Sequence, residues 1–343
     1  MNVLITGGGG FVGHHLLEYL LETTDWNISV IESFNHGGIS KRLSYLFKQY
    51  PNSQNRVNVL THDLSTPIDL ILSKDLGDIN VIVNVASRCS VDESIENPVP
   101  FINNNINLQL NILEYARTLK NLKTFIQVST DEVYGSADEG QSFLEWQEFN
   151  PTNPYSASKS SQEAICNAYW KTYNLPIVIT NTMNMFGERQ STRAFITKTI
   201  EHILNDKLVP VYSENIDGKL IPCSRFYLYI KNHSDAMKFL INYYSKNPHR
   251  ASDGLKRLPR FNITDGHELY NDQVVKIIAS IMNVKKDQLF EYVDGVKFRP
   301  GHDTRYDLNG NKLINMGWTP PYSLKDALEK TVTWGKNNPN WLV

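Results

Sequence analysis

The 343-residue chain is poor in cysteine: Cys89, Cys166 and Cys223 are odd in number and far apart. That excludes a disulfide framework, and no close Cys/His pair has the spacing of a zinc site, so no metal is expected. Neither sign of charge is in excess. Lys and Arg number 34 against 36 Asp and Glu, a net charge of −2, which argues against a polyanion-coating protein, an acidic buffer or a disordered tail. No stretch approaches the roughly 20 uninterrupted apolar residues of a membrane helix. Met1–Thr6 enters an apolar run with no basic region before it and no small-residue cleavage pattern, so it reads as a strand and not a signal peptide. The expectation is a cytoplasmic protein that binds neither nucleic acid nor membrane.

What is present is an alternation. Asn2–Thr6, Trp26–Ile31, Val57–Thr61, Val81–Val85, Phe125–Ser129 and Ile177–Asn181 are short β-branched or apolar runs. Between them lie helical patterns at Phe11–Thr23, Asn103–Leu119 and Ala157–Tyr173. Near-continuously apolar strands separated by helices predict an α/β, doubly wound parallel sheet covered on both faces. After Gly187 the rhythm loosens into helices at Ala194–Asn205, Ser234–Ser245 and Asn271–Met282, with short strands at Val209–Tyr212 and Phe261–Ile263. The expected division is 1–186 as a dinucleotide-binding unit, with 225–246 returning to it, and 187–343 as a smaller mixed α/β substrate unit.

Gly7, Gly10 and Gly13 form G-x-x-G-x-x-G directly after the first strand and open the first helix. Such a turn needs positive φ at one glycine, close approach to a pyrophosphate at another and tight helix–strand packing at the third. The helix N-terminus adds free N–H groups for the anion. Glu32 follows Gly13 by 19 residues, where a carboxylate accepts from ribose hydroxyls. No Arg stands beside it, which favours NAD over NADP. Asp63 is placed to receive the adenine amino group.

Tyr155 and Lys159 form Y-x-x-x-K, a spacing that puts both on one helix face. A phenol titrates near 10 and is a poor base unless positive charge stabilises its anion. An ammonium one turn away and a nicotinamide ring are expected to do so. Ser129 and Thr130 end a buried strand, where ligands bind in open parallel sheets, and Asp131 and Glu132 follow at once. Mutual repulsion between adjacent carboxyls is expected to keep a proton on one of them, giving the acid and the base that an elimination needs.

Together G-x-x-G-x-x-G, S-T-D-E-V-Y-G and Y-x-x-x-K resemble the extended short-chain dehydrogenase/reductases, specifically the nucleotide-sugar 4,6-dehydratases of the dTDP-glucose 4,6-dehydratase type. Further matching stretches are Ser90–Ile95, Asn184–Gly187, Val209–Tyr212, Ser224-Arg225 and Arg299–Tyr306. The resemblance implies a Rossmann-type fold, NAD as cofactor, a pyrimidine-nucleotide sugar as substrate, and a homodimer through the sheet-flanking helices. It implies that Tyr155, helped by Thr130 and Lys159, takes the C4 hydroxyl proton while hydride leaves C4 for NAD. Glu132 then removes the C5 proton, Asp131 protonates the departing C6 hydroxyl, and hydride returns to C6 while Glu132 reprotonates C5. It further places Phe11, Val12, Leu64, Ala86, Asn105 and Ser129 at the cofactor. On the substrate it places Ser90, Asn184, Arg193, Arg225, Asn262 and His302, with Val209, Val211 and Tyr212 against the base. Arg88-Cys89-Ser90 and Arg193-Ala194 depart from the family pattern, and Arg225 is followed by Phe226-Tyr227. The competing readings are a nucleotide-sugar C4 epimerase or uronic acid decarboxylase, and a catalytically silent binding protein of the same fold.

Overall fold

Seven parallel strands make the central layer of the computed structural model, which describes residues 1–35, 37–295 and 305–342. In chain order the first unit runs β1 (Asn2–Thr6), α1 (Phe11–Thr23), β2 (Asn27–Glu32), α2 (Gly37–Gln49), β3 (Val57–Thr61), α3 (Leu70–Leu76) and β4 (Val81–Asn84). It continues with α4 (Val91–Glu96), α5 (Pro98–Thr118), β5 (Thr124–Thr130), α6 (Pro154–Tyr173) and β6 (Ile177–Thr182). Then follow β7 (Asn184–Phe186), α7 (Phe195–Leu204), β8 (Val209–Ile216), β9 (Lys219–Pro222), β10 (Ser224–Tyr229) and α8 (Ile230–Lys246). Last come β11 (Arg260–Ile263), β12 (Glu268–Tyr270), α9 (Asn271–Ile281), β13 (Phe290–Asp294) and two further helices, Asn311–Asn315 and Leu324–Asn337.

The sheet order is β11-β6-β5-β4-β1-β2-β3, so the direction of winding reverses between β1 and β4. All carboxyl ends lie on one edge, and the reversal opens a crevice there. Every residue of β4, β5 and β6 is buried, as a strand with helices on both faces requires. The chain re-enters this first layer after the smaller sheets: α8 packs on α1, and β11 pairs in parallel with β6. The strand expected near Phe261–Ile263 is therefore an edge of the large sheet, although it lies beyond residue 187. The remaining strands form two three-stranded sheets, β12-β10-β7 and β13-β8-β9, over a separate apolar cluster containing Phe186, Ile200, Tyr229 and Ile278.

Helix starts differ from expectation for a local reason. α5 begins at Pro98 and α6 at Pro154, earlier than periodicity suggests, because proline is pre-organised for the first helical turn, where its missing N–H costs nothing. Asn153 caps α6, its Oδ1 accepting from Ser156 N at 2.9 Å. Tyr155 therefore sits in the first turn of α6, as the Y-x-x-x-K spacing requires.

Candidate active site

The parallel register brings the candidate residues to one edge. Gly7 has φ +67° and donates its N–H to Ile31 O at 2.8 Å, turning the chain from β1 across the end of β2. A Cβ on Gly13 would stand 2.2 Å from Gly7 O, so only glycine lets α1 approach the turn. No side chain caps α1, and its first-turn N–H groups remain for an anion. Glu32 is buried at the end of β2; its Oε2 accepts from Gly9 N at 2.8 Å and its Oε1 from Ser33 N at 3.0 Å. A carboxylate has about four acceptor positions, so two stay open to hydroxyls. Asp63 lies exposed beyond β3, held below the usual carboxylate range chiefly by the Ser65 backbone N–H. Ala86 faces Gly7 across the crevice, its N–H donating to Thr6 Oγ1 at 3.1 Å.

Beyond β5, the Thr130 hydroxyl donates to Asp131 Oδ1 at 2.8 Å and also hydrogen-bonds the Tyr155 phenol. Asp131 is buried, and its Oδ2 has no hydrogen-bond partner among the described residues. Burial pushes this carboxyl up from 3.8 to about 6, opposed by the Thr130 hydrogen bond and the Arg225 charge. The direction agrees with the sequence reading, but the cause does not: desolvation raises Asp131, where repulsion by Glu132 was expected. Glu132 is half-buried and accepts from Asn153 Nδ2 at 3.3 Å. Tyr155 is raised well above the usual phenol value, first by burial and then by the Glu132 charge. Lys159 directs its ammonium at Val128 O, 2.8 Å away, and burial lowers it to about 8. The protein groups alone thus do not pull the phenol down; the sequence reading joined the Lys159 ammonium to a nicotinamide ring for that purpose.

The other expected residues divide. Arg225, on β10, acts on Asp131 and lies 5.0 Å over the Tyr306 ring; the charges of Lys159, Arg193 and Glu132 all reach Cys89. These place Arg225, Arg193 and Cys89 around the reaction edge. Asn184 opens β7 with its Nδ2 buried and unpartnered among the described residues. Tyr212 is half-buried on β8, but Val209 and Val211 turn fully buried side chains into the second core, so only backbone there is available to a base. Asn262 is fully buried; its Nδ2 donates to Phe143 O at 2.9 Å and Asn309 O at 3.3 Å, while its Oδ1 has no partner among the described residues. Asn105 likewise faces inward, clasping Arg88 N and O and the Ser158 hydroxyl. Ser129 donates inward to Glu163, Ser90 caps α4 through Glu93 N, and Leu64 is buried. Phe11 and Val12 are half-buried and pack on the second core. His302 and Arg299 lie outside the described residues.

A family model described as GDP-mannose 4,6 dehydratase matches residues 4–331. The chain belongs to this family. The low-salt glycan biosynthesis protein Agl12 of Haloferax volcanii is 32% identical over 335 residues, covering 97% of this chain and 98% of its own. The dTDP-D-glucose 4,6-dehydratase of Dictyostelium discoideum is 31% identical over 387 residues, covering 99% of this chain and 83% of its own. Among solved structures, DesIV, a dTDP-glucose 4,6-dehydratase from Streptomyces venezuelae with NAD bound, superposes with a TM-score of 0.85 at 26% identity, covering 100% of this chain and 99% of that one. The chain is thus an NAD-dependent nucleotide-sugar 4,6-dehydratase-type enzyme of the short-chain dehydrogenase/reductase group.

The residues present fit NAD in this dehydratase-type chain: a side-chain-free approach at Gly13, an uncapped helix start and a carboxylate at the end of β2. Gly13→Ala is therefore expected to cost about 1–3 kcal/mol of stability through overpacking. It should also cost roughly tenfold or more in NAD affinity, measured by thermal unfolding and calorimetry. Sequence reasoning missed the layer beneath the reaction edge. Glu163 is fully buried and joins Ser129, Asn181 and Arg260, and the signal for it was its position one turn beyond Lys159. It also missed Asn153, which caps α6 and holds Glu132.

Proposed function

We propose that this enzyme dehydrates a nucleotide-activated hexose of the dTDP- or UDP-glucose type to the 4-keto-6-deoxy sugar nucleotide. The observation that carries this reading is the contrast between two consecutive carboxyls beside Tyr155. Asp131 is buried and inclined to keep its proton, whereas Glu132 is half-buried and held by Asn153. A reaction that only inverted C4 would have no use for a buried acid one residue from a base.

NAD, held by the Gly7–Gly13 turn, the start of α1 and Glu32, would supply the acceptor and donor of the hydride exchanged between C4 and C6 and a positive ring beside the phenol. Tyr155 removes the C4 hydroxyl proton, with the Thr130 hydroxyl aligning it. The C4 ketone acidifies C5, Glu132 takes that proton, Asp131 gives its own to the departing C6 hydroxyl, and Glu132 hands its proton back to C5 as hydride reaches C6. Arg225 and Arg193 supply positive charge for the diphosphate and sugar, and Tyr212 with the backbone of Val209–Val211 lies against the base. The enzyme is further proposed to work in the cytoplasm as a homodimer, paired through the outer faces of α5 and α6, where Ile106, Leu110 and Ile165 are half-buried.

The test is a panel of dTDP-glucose, UDP-glucose, UDP-N-acetylglucosamine, GDP-mannose and UDP-glucuronic acid read by mass spectrometry and proton NMR. Loss of one water from one of the glucose nucleotides is the expected result. An isobaric product establishes epimerisation instead, and loss of CO2 from a uronic acid establishes decarboxylation. No product from any sugar nucleotide, with NAD bound, leaves a binding protein.

A further inference from the structure

One guanidinium outside the reaction edge uses every donor it has. The Arg305 side chain is mostly buried; its Nε donates to Glu268 Oε1 at 2.9 Å, and its Nη2 to Glu268 Oε2 at 3.2 Å and Asp307 Oδ2 at 2.8 Å. Its Nη1 donates to the carbonyls of Asp138 at 2.9 Å and Gln141 at 2.8 Å. The five N–H groups of a rigid fork thus all find acceptors. The backbone is stitched in the same place: Arg305 O accepts from Ala137 N at 2.9 Å, and Asp307 O from Phe143 N at 3.0 Å. The loop so clamped, 136–143, follows the turn that carries Asp131 and Glu132. The same cluster flanks Arg225 on two sides. Glu268 belongs to β12, whose Leu269 pairs with Arg225 across the β10–β12 ladder, and its Oε1 also accepts from the Ser224 hydroxyl at 2.5 Å. Arg225 Nη1 turns back to Ser224 O at 2.7 Å, and its guanidinium lies 5.0 Å over the buried ring of Tyr306, the residue between Arg305 and Asp307. A long arginine side chain loses rotamer freedom when a ligand orders it, and a scaffold that orders it beforehand removes that cost.

We propose that Arg305 is a positioning residue for substrate binding: its fork to Glu268, Asp307 and the 136–143 loop fixes Ser224 and Tyr306, and through them holds the Arg225 guanidinium ready for a diphosphate. The inference rests on the diphosphate role proposed for Arg225. A brace serving stability alone predicts a different result. Its loss would weaken folding and every ligand alike, whether or not Arg225 were present. A positioning residue weakens what Arg225 binds, and its loss changes little once Arg225 is gone. Lysine keeps the positive charge but not the planar fork, so Arg305→Lys separates the two.

The experiment is a double-mutant cycle read by calorimetric binding of dTDP and of UDP to the NAD-loaded protein. Arg305→Lys is expected to weaken binding of the tighter nucleotide by about three- to tenfold when Arg225 is present. In the Arg225→Gln background the same change is expected to cost less than about twofold. NAD affinity, measured separately, is expected to stay within about twofold of wild type, because the glycine turn and Glu32 lie on β1 and β2, away from this cluster. Glu268→Gln weakens the fork and leaves the guanidinium; it is expected to act in the same direction by a smaller factor, and serves if the lysine variant does not fold. Equal weakening in both backgrounds, an equal loss of NAD affinity, or unchanged nucleotide binding in the single variant overturns the proposal. If neither nucleotide binds, or if Arg225→Gln binds as wild type does, the diphosphate role of Arg225 falls and this inference with it. None of these measurements involves turnover, so the dehydration reading is decided separately, by the mass of the product.

Discussion

Tyr155→Phe is expected to lower turnover by about 10²–10⁴-fold, the usual loss for a general base, with KM and thermal stability nearly unchanged. The ring contact with Phe101, at 6.3 Å between centroids, survives in phenylalanine, so only the hydroxyl bonded to Thr130 is lost. The phenol begins far from a working base. Burial and the Glu132 charge raise it, and the Lys159 ammonium is directed at Val128 O. Its place in the first turn of α6, at the positive end of the helix dipole, helps by a fraction of what is needed. The decisive positive charge must arrive with NAD. The phenolate absorbance should therefore appear at lower pH with NAD bound than without it, and be missing in Tyr155→Phe. If NAD leaves the midpoint where it was, or if the phenylalanine variant keeps nearly full turnover, Tyr155 is not the base.

The large sheet was legible because its strands are short β-branched or apolar runs, those of β4, β5 and β6 buried throughout. Asn2–Thr6 and Val57–Thr61 match their expected limits, and the others shift by a residue or so. The glycine turn was legible for a local reason: φ at Gly7 favours glycine, and contact at Gly13 leaves no room for a side chain. The elements missed were those whose partners are remote in the chain. Among the described residues β10 pairs with β7 and β12, and three to six residues carry little periodicity of their own. Among site residues, the chemistry of a side chain was legible and its direction was not. Asn105 is an amide of a type suited to ligands, yet tertiary packing turns it inward to satisfy the backbone of Arg88. The cause of the Asp131 shift was hidden for the same reason, since adjacency is visible in sequence whereas burial is not.

Asp131→Asn and Glu132→Gln are expected to separate the two halves of the elimination. On the proposed roles, the Asp131 variant still exchanges the C5 hydrogen with deuterated solvent, while water loss falls by about 10²-fold or more for want of an acid. The Glu132 variant loses both, and exchange at the wild-type rate in it would show that the base is misassigned. Dehydration that depends on the Asp131 proton should decline as pH rises through about 6, a limb absent from Asp131→Asn. Stability carries a matching sign. Unfolded, this carboxyl titrates at its ordinary 3.8; folded, at about 6, so between those values the folded protein holds the extra proton and its stability falls as pH rises. The amide has no charge to bury. Asp131→Asn should therefore gain on wild type by on the order of 2–3 kcal/mol between about pH 4 and about pH 7.5, read by denaturant unfolding. A buried acid kept at the expense of stability is what an elimination at C5 and C6 calls for; a constant gap across that range would mean that Asp131 is no more acid-like than any surface carboxyl.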